Sequence, residues 1–217
     1  MSPEHWPGKL VEKFKIVFWD FDGVIKDSVS VKSLGYAKLF APFGKEVVER
    51  VNQHHEVHGG VSRFEKIPLY LSWAGLSPDL AKVQEYCVQF SRLVQQAVID
   101  SPWVPGVHEF LKTHHKRQCF ILITGTPQEE IEQILQALEL FPYFKEVHGA
   151  PKEKSVMIKD ALKRFDFQSD QALVVGDSGT DFEAARENNV AFLLRRTPLN
   201  HELQKKFKGP SFENLNF

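Results

Sequence analysis

Two rhythms of polar and apolar positions run through this chain. Four short stretches are apolar almost throughout, "KIVFW", "CFILIT", "ALVVG" and "VAFLL", with "KEVHG" a weaker fifth. Runs of this length, bounded by polar residues, predict strands buried on both faces of a parallel sheet. Between them the apolar residues return at helical spacing. Ile131, Ile134, Leu135 and Leu138 form one stripe, Ala161, Leu162 and Phe165 support a second helix, and Phe182 and Ala185 a third that ends near Asn188-Asn189. Thr126-x-x-Glu129 with Pro127 reads as a capping box and first-turn proline opening the first of these. Strand and helix in alternation predict an α/β fold with right-handed crossovers.

One interval breaks the alternation. From about residue 27 to 103 the apolar spacing is helical only, through Leu34, Leu39, Phe40, Val47, Val48, Val51, Leu80, Val83, Tyr86, Cys87, Phe90, Leu93 and Val94. Ser77-Pro78-Asp79 offers one of these helices a cap and a first-turn proline, and "SPWVPGV" at 101–107 supplies a turn-rich exit. The expected organisation is a core from 1–26 and 104–217 with a helical bundle, 27–103, inserted as a second domain. Phe40, Phe43, Trp73, Tyr143 and Phe144 read as packing residues of the two parts.

The first strand raises a chemical question, because it is followed by Asp20 and Asp22 with one phenylalanine between them. Alternation along a strand sends both carboxylates to the same side, where they repel unless a proton or a cation intervenes. Ligands of open α/β sheets bind beyond the carboxyl ends of the strands. Four such ends carry polar sets: Asp20-x-Asp22, Thr124-Gly125-Thr126, the region of Lys152 and Lys154, and Gly176-Asp177 with Asp181. Carboxylates, a hydroxyl beside backbone amides and an ammonium are the parts of a magnesium-assisted phosphoryl transfer. A magnesium ion between Asp20 and Asp177 would offset the repulsion.

Composition adds limits. The 217 residues carry a formal net charge of −1 and 42% hydrophobic residues, so nothing in the overall charge favours nucleic acid or an anionic membrane. The amino terminus lacks a basic-then-apolar leader pattern, and no apolar run approaches a membrane span of about 20 residues. The expectation is a cytoplasmic monomer or homodimer. Cys87 and Cys119 are too few for a disulfide framework or a thiolate metal cage and read as buried reduced thiols.

Taken in order, these motifs resemble the haloacid dehalogenase-like hydrolase superfamily, in its phosphatase branch with a helical cap after the first strand. The resemblance extends over nearly the whole chain. It implies a Rossmann-like core and Asp20 as the nucleophile that forms an aspartyl-phosphate, with Asp22 protonating the leaving group and then activating water. It also implies that Thr124 and the amides that follow, at Gly125 and Thr126, hold phosphate oxygens while a lysine neutralises charge. Asp177, Asp20 and the backbone carbonyl of Asp22 would bind Mg2+, supported by Asp181. The form "GAPKEK" matches the family's Gly-small-Pro-x-x-Lys and selects Lys154 over Lys152. Dehalogenases of the family lack the second aspartate, whereas Asp22 is present here. Phosphonate-cleaving members use a cap lysine as a Schiff base; Lys26 and Lys32 are available, without a persuasive context.

In the inserted segment, Arg63 after Gly59-Gly60 resembles the cap loop that addresses a substrate's leaving group, and a salt bridge to Glu65 or another acid is the competing reading. His54 and His58 lie four apart, as two zinc ligands on one helical face would, yet no third ligand is evident. Solvent-facing or cap-packing histidines fit better, with substrate contact as the remaining reading. The basic residues Lys205, Lys206 and Lys208 read as a solvated helix end. The expected activity is hydrolysis of a small phosphate ester. A sugar phosphomutase resembling β-phosphoglucomutase and a non-catalytic interaction protein are the alternatives.

Overall fold

The computed structural model describes residues 7–216. The leader reading at the amino terminus falls partly on residues 1–6, outside the described residues. In chain order, a short helix α1 (Pro7–Val11) precedes strand β1 (Ile16–Trp19), and four helices follow: α2 (Val29–Phe40), α3 (Lys45–Val57), α4 (Arg63–Trp73) and α5 (Leu80–Asp100). The chain then alternates through α6 (Val107–His114), β2 (Cys119–Pro127), α7 (Gln128–Ala137), β3 (Glu146–Ala150), α8 (Lys154–Phe165) and β4 (Ala172–Gly176). It ends with α9 (Gly179–Glu187), β5 (Ala191–Arg195), α10 (His201–Lys206) and β6 (Ser211–Phe212). This is the α/β fold the alternation predicts.

The strands form one sheet in the order β3-β2-β1-β4-β5-β6, and every neighbouring pair is parallel. All four residues of β1 are fully buried, as a central strand covered on both faces requires. Its side chains divide by alternation. Val17 and Trp19 join the apolar cluster shared with α5, α6 and α7, while Ile16 and Phe18 pack with Met157, Ile158 and Ala184 beneath the other face. The carboxyl ends of β1, β2 and β4 therefore open on one edge of a rigid double-sided core.

Helices α2 to α5 pack around a seam of aromatic rings. Tyr36 stacks on Phe90 with centroids 4.0 Å apart and meets Tyr70 edge-on at 5.3 Å, and Phe40 meets Tyr70 edge-on at 5.6 Å. Such geometry adds to the area buried. Gly35 lets α2 approach α5, since a Cβ there would lie 2.3 Å from Val94 Cγ1. The two chain passages that bound this helical insertion pair with each other. The Asp27 N–H donates to the Pro102 carbonyl at 2.8 Å, and the Val104 N–H to the Ile25 carbonyl at 3.0 Å.

Several local expectations need correction. Thr126 and Pro127 belong to β2, so α7 starts at Gln128 with no side-chain cap, and the Thr126 hydroxyl is used elsewhere. Asp79 does cap α5, accepting from the Lys82 N–H at 2.9 Å, but Pro78 lies before that cap and not in the first turn. Cys87 is buried and Cys119 only half-buried; both are free, and burial raises each thiol to about 11. Strand β6 was not anticipated, because two residues are too few to show a period. Among the described residues no helix is long and apolar enough to cross a membrane.

Candidate active site

Asp20 is the first residue past β1, fixed there by its N–H donating to the Val175 carbonyl at 3.0 Å. Beside it on the sheet edge, Asp177 follows β4, and Asp181 sits in the first turn of α9. One carboxylate oxygen from each of Asp20, Asp177 and Asp181 lies within 4.8 Å of the others. Asp181 is held by a capping box: its amide donates to the Ser178 hydroxyl, and its Oδ2 accepts from the Ser178 N–H at 3.1 Å. Its other oxygen, Oδ1, accepts from Lys154 Nζ at 2.6 Å, and the same Nζ lies 2.9 Å from Asp20 Oδ1. Asn200, which the sequence did not single out, donates to the backbone carbonyl of Asp177 at 2.7 Å.

Gly23 completes this corner. Its φ is +76°, and a Cβ would fall 2.1 Å from Asp177 Oδ2. A side chain at this position would meet both backbone strain and the carboxylate.

Three buried carboxylates face one ammonium. Burial, then the charge of Asp181, lifts Asp20 to about 7 despite Lys154. Asp177 is raised well above its ordinary value by burial and by Asp20 and Asp181. Lys154 is raised as well, which in its case favours the charged form: burial opposes the charge, but Asp181 and Asp20 hold the proton more firmly than usual. A surplus of buried negative charge on hard oxygen donors fits a divalent cation, which would lower all these strains together.

Asp22 is placed differently. It points from the β1 end toward α2, where Ser28 Oγ donates to its Oδ1 at 2.6 Å and Thr126 Oγ1 donates to its Oδ2 at 3.0 Å. Lys32 Nζ is hydrogen-bonded both to Asp22 Oδ2 and, at 2.7 Å, to Thr126 Oγ1. Burial disfavours the Asp22 carboxylate, yet Lys32 and these donors outweigh it and keep the group below its usual range. The repulsion posed by two neighbouring aspartates is thus divided between two lysines, Lys154 for Asp20 and Lys32 for Asp22. The sequence offers Lys32 only as a Schiff-base candidate without context; one helical turn inside α2 and facing Asp22 after the chain folds back, it is instead that aspartate's counter-ion.

Thr124 is buried, and its Oγ1 accepts from the Thr126 N–H at 3.2 Å. Gly125 meets the insertion directly, since a Cβ there would lie 2.9 Å from the Gly60 carbonyl oxygen. Lys152 is exposed and pairs with Asp160 at 2.7 Å, whereas Lys154 is buried against Asp20 and Asp181.

The insertion supplies the opposite wall of a cavity of about 370 Å³, lined among others by Asp20, Thr124, Asp177, Lys32, Lys66 and Arg63. That is at the small end of ligand pockets, which run roughly 300–1,000 Å³. Arg63 does line the cavity, but its guanidinium is engaged: NH1 and NH2 each donate to Glu130 at 2.7 Å, and NH1 also donates to Ser91 at 2.6 Å. The salt bridge to an acid, the competing reading of Arg63, is present in the structure. Its partner is Glu130 and not Glu65, a pairing invisible in sequence because 67 residues separate the two. Nor do the histidines present a zinc face. His54 Nδ1 is hydrogen-bonded to the Tyr70 hydroxyl at 3.0 Å, the His58 ring packs tilted against His54, and His55 turns inward to Lys66. Arg195 pairs with Asp27 and Arg196 with Glu213.

Comparison with known proteins gives the same direction. The family described as haloacid dehalogenase-like hydrolase matches residues 14–189. A phosphoglycolate phosphatase of Pseudomonas savastanoi pv. phaseolicola is 27% identical over 195 residues, covering 86% of this chain and 71% of that protein. A phosphorylated carbohydrates phosphatase of Thermotoga maritima is 25% identical, covering 80% and 81% respectively. Among solved structures, a β-phosphoglucomutase from Clostridium difficile superposes with a TM-score of 0.74 at 17% identity, covering 94% of this chain and 92% of that one. At that identity the likeness is one of fold.

Proposed function

Since the chain belongs to the haloacid dehalogenase-like hydrolases, we propose that it is a magnesium-dependent phosphatase acting on a small phosphorylated metabolite through an aspartyl-phosphate on Asp20. The observation that carries this reading is the corner where Lys154 lies 2.9 Å from Asp20 Oδ1, with Asp177 and Asp181 converging on the same point. Phosphatase names among the curated relatives support hydrolysis over transfer to a sugar, whereas the phosphomutase likeness is structural only.

In this mechanism an Asp20 carboxylate oxygen attacks phosphorus, and the bond to the ester oxygen breaks as Asp22 gives that oxygen a proton. Water then attacks the aspartyl-phosphate, Asp22 takes its proton, and Asp20 is released with inorganic phosphate. The resting protein keeps Asp22 ionised through Lys32, ready for the second half. Arrival of the phosphate's negative charge beside it disfavours the carboxylate and draws on the proton needed for the first.

Lys154 holds Asp20 in place and offsets charge on the transferring group, and Thr124 with the amides of Gly125 and Thr126 receives phosphate oxygens. Asp20, Asp177, Asp181 and the Asp22 carbonyl would hold magnesium, which supplies electrostatic neutralisation between phosphate and nucleophile. The helical insertion serves as a cap that limits bulk water over the cavity while leaving room for the one water that the second step consumes. Release of inorganic phosphate from an aryl phosphate in the presence of magnesium, lost in Asp20→Asn, tests the reading. Undiminished release by Asp20→Asn would overturn it.

A further inference from the structure

Three cations, Lys32, Arg63 and Lys66, reach the cavity from the insertion side. Two are matched, Lys32 by Asp22 and Arg63 by Glu130. Lys66 is not. Its side chain is 2% exposed, and among the described residues it has no carboxylate partner. Nζ donates to His55 Nδ1 at 2.9 Å and to the Gly59 carbonyl at 3.3 Å.

The imidazole deepens the imbalance. When Nδ1 accepts from Lys66, the ring's own proton sits on Nε2, and that atom is buried without a hydrogen-bond partner. Two donors, an ammonium and an N–H, are therefore held against the cavity with less than their full set of acceptors. Burial lowers the Lys66 ammonium to about 7, with Lys32 and Arg63 adding to the effect. The acids nearby do not cure it: Asp22 is engaged by Lys32, and Glu65 and Glu56 are exposed. A buried cation lacking a counter-charge is costly and is stabilised by an anion that enters beside it.

We infer that Lys66 and His55 form a subsite for a second anionic group of the substrate, so that the natural ester carries, on its leaving-group side, a carboxylate or a second phosphate. The inference rests on the phosphatase reading for the identity of the first anion, which Lys154 and the Thr124 loop receive across the cavity. Arg63 is excluded from the role by Glu130.

The test is calorimetric binding to the Asp20→Asn protein with magnesium, using 2-phosphoglycolate, ethane-1,2-diyl bisphosphate and 2-hydroxyethyl phosphate. At least one of the two ligands with a charged tail should bind about tenfold or more tightly than the neutral-tailed one, a difference of about 1.4 kcal/mol. Which of them gains identifies the tail as carboxylate or phosphate. Introducing Lys66→Met should shrink the preference to within about threefold. Equal binding of all three ligands, or a preference unchanged by Lys66→Met, overturns the subsite. The three-ligand comparison decides even if Lys66→Met fails to fold. Loss of the binding preference with aryl phosphate hydrolysis intact refutes only the subsite, whereas a binding preference without hydrolysis by the unsubstituted protein refutes the phosphatase reading.

Discussion

Arg63 and Glu130 meet in a bidentate ion pair, buried where the helical insertion touches α7 of the core. Removing one member leaves the other charged and dry, which typically costs about 3–5 kcal/mol, while apolar replacement of both is close to neutral. Arg63→Met alone should therefore lower the urea midpoint sharply, and Arg63→Met with Glu130→Leu should recover most of the loss. A double variant no more stable than the single would show that the pair is not what joins these two parts.

Lys154 and Lys152 give a comparison two residues apart. Lys154 is locked between Asp20 and Asp181, and Lys152 pairs with Asp160 at the surface. Loss of a group that stabilises transition-state charge costs roughly 10²–10³ in kcat. Lys154→Ala should fall in that range in a phosphate-release assay and Lys152→Ala should stay within about threefold; the reverse order would reassign the lysine.

Magnesium should stabilise the protein as well as activate it, because the carboxylates of Asp20, Asp177 and Asp181 repel one another in its absence. Millimolar magnesium is expected to raise the thermal midpoint of the unsubstituted protein. Asp177→Asn should start from a higher midpoint and gain little. Chelator should abolish phosphate release, and full activity in its presence would remove the metal from the mechanism.

Lys66 makes stability depend on pH in a defined direction. Its pKa falls from 10.5 to about 7 on folding, so between those values the unfolded chain holds more protons and stability rises with pH. Below about pH 7 the whole cost of burying the ammonium is felt. Lys66→Met should accordingly be more stable than the parent at pH 6, by a difference on the order of a few kcal/mol, and the advantage should shrink toward pH 10. Denaturation curves at pH 6 and 9.5 check this, and an equal difference at both would contradict it.

Gly23→Ala should cost activity out of proportion to its size. The substitution sets a methyl group against Asp177 Oδ2 at a backbone angle that favours glycine. A stability loss of about 1–2 kcal/mol is expected, with a larger apparent requirement for magnesium in the assay. Unchanged metal dependence would mean that the loop between Asp22 and Val24 shifts freely.

The sheet was readable because buried parallel strands leave uninterrupted apolar runs, and the residues that end those runs are the ones brought together at its edge. Asp20, Asp22, Thr124, Lys154, Asp177 and Asp181 are all local in that sense. What sequence did not reveal depends on pairings across long separations. Lys32 reaches Thr126 over 94 residues and Arg63 reaches Glu130 over 67, and neither pairing has a spacing rule. Thr126 was misread for the opposite reason: its local pattern is that of a helix cap, but a carboxylate from another strand competes for the hydroxyl and wins. Asn200 and Lys66 carried no motif at all.

The hydrogen bonds that tie Asp27 to Pro102 and Ile25 to Val104 make the helical bundle a graft on a single stem. To the sheet, more than seventy residues of chain amount to a tight loop whose two feet stand side by side. Exchange of that whole unit for another of similar footing would leave the sheet's register untouched, provided the newcomer brings its own cation to stand where Lys32 meets Asp22.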